Sequence, residues 1–149
     1  MVMVDENIKS LGLDNTGELI KYFGINFLKE EKVNLRAVRH KVADRIDSIM
    51  DVLASYVQPD SSFIQIHDAQ TLGDDDKSNA VDVLKEFAVV IKESQLLELE
   101  PNDNAEKEFC RKALEVYKKN VKMIKSLIIK AKDAYNSKYK KTVDINYLG

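Results

Sequence analysis

The sequence predicts an all-α fold: a helical bundle of three main helices, the last of them a long C-terminal helix, plus a short N-terminal helix. Three observations carry this expectation. A run from Asn102 to about Tyr139 contains neither Pro nor Gly. A second run, opening at Asn34 and closed by Pro59, repeats apolar residues at steps of three and four, the period of an amphipathic helix. Finally, only five Gly and two Pro punctuate 149 residues, too few for an all-β sandwich with a turn signal about every 8–12 residues. The length suits a single helical domain over residues 1–149 with enough chain to bury a core.

Residues 1–33 are expected to hold the short helix. Asn15 and Thr16 suit a cap, and Leu19, Ile20, Phe23, Phe27 and Leu28 recur at helical spacing. Gly17 and Gly24 weaken it, at about 1 kcal/mol each relative to Ala. The first main helix is predicted over 34–58. Leu35, Val38, Val42, Ile46, Ile49, Leu53 and Tyr56 line one face, with Asn34 as N-cap. The opposite face carries Arg36, Arg39, Lys41, Asp44, Arg45, Asp47 and Asp51, the pattern of a solvated surface. Phe63-Ile64-Gln65-Ile66 is apolar enough to pack but too short for periodicity to distinguish helix from strand.

The second main helix is predicted over 75–97, with Ala80, Leu84, Phe87, Ile91 and Ser94 on one stripe and Val83, Val90 and Leu97 beside it. Acids at Asp74, Asp75 and Asp76 favour its amino end through the macrodipole. The third main helix is predicted over 102–139, opened by an Asp103-x-x-Glu106 capping box. Its apolar line is Phe109, Ala113, Tyr117 (or Val116), Val121, Ile124, Ile128, Ala131 and Tyr135. At 1.5 Å per residue it spans about 54 Å against about 35 Å for its neighbours, so its end overhangs them. The tail, 142–149, alternates like a short strand.

Charge divides the chain. From Lys107 to Lys141 there are twelve Lys or Arg against three acids, Glu108, Glu115 and Asp133. The whole chain holds 23 basic and 25 acidic residues, so 11 basic and 22 acidic ones remain elsewhere. A basic rod on an acidic body either docks on acids of its own chain or a mate, or meets an external polyanion.

The single cysteine, Cys110, offers neither an internal disulfide nor a Cys-based zinc site, and its helical neighbours Phe109 and Ala113 suit a small buried residue. There is no basic, apolar leader at Met1–Glu6 and no apolar stretch of the ~20 residues that a span requires. A soluble, cytoplasmic protein without a membrane partner is expected.

Catalytic residues are not indicated, and no cofactor is expected. An overhang carrying Ile124, Ile128, Tyr135 and Tyr139 needs a second surface to cover it, which a second copy supplies. The expected function is a non-enzymatic helical interaction or scaffold module, a homodimer or the mate of another protein. The alternative is a nucleic-acid-associated protein using Lys118, Lys122, Lys125, Lys138, Lys140 and Lys141. Lysines neutralise phosphates without reading bases, and Tyr135 and Tyr139 are suited to stacking.

His40, then the pair His67-Asp68, then a later acid, Asp103 or Asp133, resembles the His-Asp family of all-helical, metal-dependent phosphohydrolases. That resemblance implies His40, His67 and Asp68 as ligands of a divalent metal that activates water. It covers a handful of positions, and Ala69-Gln70-Thr71-Leu72 departs from the Gly and Lys usual there.

Overall fold

The computed structural model describes residues 10–25 and 33–136. Among these, five helices and no strand are found: α1 (Thr16–Phe23), α2 (Leu35–Val57), α3 (Phe63–Thr71), α4 (Asp74–Leu99) and α5 (Asp103–Ala134). The fold is all-α, with a short first helix and a long last one. The described residues fall into two compact units, divided at Asp51/Val52, Leu84/Lys85 and Lys119/Asn120. The long helices α2, α4 and α5 each contribute to both.

Local chemistry sets the helix ends. The Asn34 side chain accepts from the Ala37 N–H at 2.8 Å, the cap expected of it. At α5 the sequence pointed to Asp103 with Glu106, yet the cap is Asn102, whose Oδ1 accepts from the Ala105 N–H at 3.0 Å. Glu106 turns inward instead and pairs with Arg39. Asn15 does not cap α1 through its side chain; it adopts the left-handed conformation, φ 58°. Gly24 closes the same helix at φ 59°, where a residue without Cβ escapes the steric cost of that region. The segment left untyped by periodicity forms α3, and Ser62 caps it by accepting from the Gln65 N–H at 3.2 Å. α5 ends at Ala134 instead of Tyr139. Tyr135 and Asn136 close it with tighter bonds to the Lys132 and Asp133 carbonyls.

In the first unit the buried apolar residues include Leu19 and Phe23 from α1, Val38, Val42 and Ile46 from α2, Phe87 and Val90 from α4, and Phe109, Ala113 and Leu114 from α5. Each large one contributes about 1.5–3 kcal/mol by leaving water. Tyr117 packs its ring against Phe23 at 5.3 Å and Tyr22 at 5.6 Å, tying α1 to α5. Lys112 lies 3.8 Å from Glu93 and Lys119 bonds Glu86 at 2.6 Å. Numbers that rise along α5 fall along α4, so the two helices run antiparallel here. The opposed charges of the sequence thus meet within one chain.

The second unit buries Leu53 and Tyr56 of α2, Ala69 of α3 with Leu72 just after it, Ala80 and Val83 of α4, and Ile124, Leu127, Ala131 and Ala134 of α5. Lys130 reaches Asp76 in the first turn of α4 at 2.7 Å. Leu127 and Ala134 belong to the apolar face of α5, although the expected line passed through Ile128 and Tyr135. Among the described residues no helix is long and apolar enough to cross a membrane.

Candidate functional site

Three groups of side chains stand out: an outward apolar and basic face on α5 in the second unit, an apolar groove between α4 and α5 in the first, and a buried polar cluster in the first.

The face follows from helix geometry. With Ile124, Leu127, Ala131 and Ala134 turned to the core, Ile129 lies opposite them at the outer apex, since steps of 100° per residue separate 129 from that stripe by about half a turn. It is 49% exposed, and Ile128 on its flank is 42% exposed. Lys122 and Lys125 share the apex with it. Both are exposed, with no ion pair among the described residues. Tyr135 is held on the α3 side: its ring stacks on His67 at 4.4 Å and its hydroxyl donates to Asp68 Oδ1 at 2.8 Å. Phe63 and Ile64 at the start of α3 are exposed in the same unit.

The expected interface residues therefore divide. Ile124 is 6% exposed and serves the core, which corrects its assignment to a partner surface. Ile128 and Tyr135 are exposed, and Tyr139 lies outside the described residues. Sequence reasoning missed Ile129, because an isoleucine on the charged side of a periodic helix is invisible to a search for the apolar stripe. The signal was present in the spacing, which sets Ile129 about half a turn from Ile124, Leu127 and Ala131 and beside Lys122 and Lys125.

The groove lies at the other end of α5. It has a volume of about 230 Å³ and is lined by Leu96 and Leu97 of α4 and Ala105 and Phe109 of α5, with Glu93, Glu108 and Lys112 at its sides. Leu96 is 65% exposed, and Leu99, just beyond, 79%.

The polar cluster is centred on Arg39, placed by the sequence on a solvated face but 1% exposed. Its Nε donates to Glu106 at 2.7 Å, its Nη1 to the Ser94 carbonyl and hydroxyl at 3.0 and 2.9 Å, and its Nη2 to Glu98 at 2.8 Å. Burial opposes the charged guanidinium, but bonds to Glu98 and Glu106 outweigh it and raise its pKa. Glu98 also accepts from Arg36 and pairs with His40 at 2.9 Å. Bonds from Arg39, then His40 and Arg36, lower its carboxyl to about 2. Beside the cluster runs a polar groove of about 330 Å³ bordered by His40, Asp44, Asp47 and Gln95. Burial, then the charges of Asp51 and Asp44, raises the Asp47 carboxyl above its usual range. Cys110 is buried, and burial, with a smaller push from Glu106, drives its thiol to about 12, so it is a packing residue.

Of the lysines read as a nucleic-acid surface, Lys118 bonds Glu18 at 2.6 Å, while Lys122 and Lys125 stay open. Lys138, Lys140 and Lys141 lie outside the described residues. His40 belongs to the first unit and pairs with Glu98, whereas His67 and Asp68 belong to the second and hold Tyr135. Among the described residues no group of three or more His, Cys, Asp or Glu side chains is arranged to hold a metal ion. No protein-family model matches the chain, and neither a curated protein nor a solved structure matches it.

Proposed function

We propose that this chain is a non-enzymatic helical interaction module that self-associates through the outward face of α5 in its second unit. The observation that supports this is the pair Ile128 and Ile129, 42% and 49% exposed on a helix whose core face is filled by other residues. Covering an isoleucine fully stabilises by about 1.5–3 kcal/mol, so the two of them form the apolar centre of an interface rimmed by lysine. Neither belongs to the buried core of the unit.

The test is solution mass by light scattering at low and high salt, with the nucleic-acid absorbance ratio recorded. The native chain is expected to form a dimer or larger species free of nucleic acid, weakened by high salt but not abolished. Ile128→Glu and Ile129→Glu, each placing a charge in the contact, are expected to elute as folded monomers with unchanged helical content. A native chain that is monomeric at tens of micromolar removes the reading. A native chain carrying nucleic acid that salt strips away replaces it with the polyanion alternative, for which the unpaired Lys122 and Lys125 are the supporting observation.

A further inference from the structure

We propose that the surface receiving the α5 face is the α4–α5 groove of the first unit on a second copy of this chain. This inference rests on the self-association reading and names the partner surface it requires.

Shape supports it first. Ile129 stands at the convex apex of a helix, and a convex apolar residue is best covered by a concavity. Among the described residues the groove of Leu96, Leu97, Ala105 and Phe109 is an apolar hollow of about 230 Å³, large enough for an aliphatic side chain. Its mouth extends outward through the exposed Leu96 and Leu99.

Charge supports it independently. Glu93 and Glu108 flank the groove, and Glu100 on the short connection and Asp103 at the start of α5 stand exposed. The local bases are fewer: Lys112 lies 3.8 Å from Glu93, Arg111 is held by Glu108 at 2.5 Å and Glu115 at 3.0 Å, and Lys92 is exposed with the neutral Gln95 as its partner. The groove surroundings are therefore net acidic, while the face around Ile129 is net basic. Asp133 is the acid on that face, 3.9 Å from Lys132, and Lys122 and Lys125 are uncompensated. Two α5 faces set against each other bring like net charge together. A face set in a groove brings opposite charge together and leaves apolar against apolar. The contact is thus heterologous: one copy gives the face and the other gives the groove.

Complementation between two variants tests this. Leu96→Lys spoils the groove and leaves the face intact, and Ile129→Glu spoils the face and leaves the groove intact. Both positions are exposed, and circular dichroism verifies that each variant keeps native helical content. Each variant alone is expected to be monomeric by light scattering, and an equimolar mixture is expected to regain a species of twice the monomer mass. A third chain, Lys122→Glu with Lys125→Glu, is expected to lose association at least tenfold.

If Leu96→Lys associates like the native chain, or the two monomeric variants stay apart when mixed, the groove is not the partner surface. The self-association reading then survives alone. If the charge-reversed chain associates as tightly as native, complementarity plays no part and the inference falls. If the native chain is itself a monomer, both readings fail together, an outcome distinct from the others.

Discussion

Arg39 illustrates what one residue gains from its surroundings. A buried guanidinium is costly unless its donors find acceptors, and here Glu106, Glu98 and Ser94 supply them at 2.7 to 3.0 Å. The same principle predicts the effect of breaking the set. Glu106→Ala leaves the buried cation short of its closest partner and is expected to cost about 3–5 kcal/mol of unfolding free energy. Arg39→Met combined with Glu106→Leu removes both charges and is expected to cost less than Glu106→Ala alone, since no charge is left uncompensated. Urea melts of Glu106→Ala, of the singles Arg39→Met and Glu106→Leu, and of the double variant measure this, and strictly additive losses of the two singles count against a coupled pair. Residue type alone conceals the burial, although the spacing does not. Arg39 is charged and so reads as solvated, yet it stands four residues after Leu35 and three before Val42, at the border of the apolar stripe.

At the scale of elements, Glu98 clamps α4 to α2 through Arg36, Arg39 and His40. Its carboxyl, held at about 2, titrates near 4.3 in an unfolded chain. A carboxyl lowered on folding stabilises the native state fully above its unfolded value and loses that contribution as pH falls through its folded one. The clamp therefore stays ionised down to about pH 2, while its contribution to stability, full at neutral pH, fades as pH falls from about 5 through 2. Because the group is well exposed, solvent screens part of its effect. Glu98→Gln is expected to lower the melting temperature at pH 7 and to flatten its decline between pH 5 and 2. A variant whose acid profile overlays the native one removes Glu98 from the acid response. The helices themselves were largely legible. α2, α4 and α5 fall within a few residues of the segments predicted at 34–58, 75–97 and 102–139, because long amphipathic runs fix helix type. α3 was not typed, since its nine residues hold too few turns for a period. The end of α5 was overrun because nothing in the composition after Ala134 breaks a helix.

For the whole molecule, self-association has a thermodynamic signature beyond its effect on mass. A partner that binds only the folded chain raises its stability by mass action. The native melting temperature is therefore expected to climb, on the order of a few degrees for each tenfold rise in protein concentration. Ile129→Glu is expected to melt at one temperature throughout. A native chain showing no concentration dependence argues for a monomer. Of the surfaces proposed for it, the sequence pointed to α5 and to Ile128, Tyr135 and Tyr139, but it also included Ile124, omitted Ile129 and did not find the groove.

That division has one physical source. Periodicity, capping residues and charge blocks are local, so the sequence by itself determined the helical class, the approximate extent of the long helices and the opposition of a basic last helix to an acidic body. Periodicity orients a face only about its own axis. Only packing decided which side of each stripe met a neighbour, taking Arg39 and Glu106 inward and leaving Ile128 and Ile129 out. The groove also arose there, because a concavity is made jointly by Leu96 and Leu97 of one helix and Ala105 and Phe109 of another, and neither helix carries it alone.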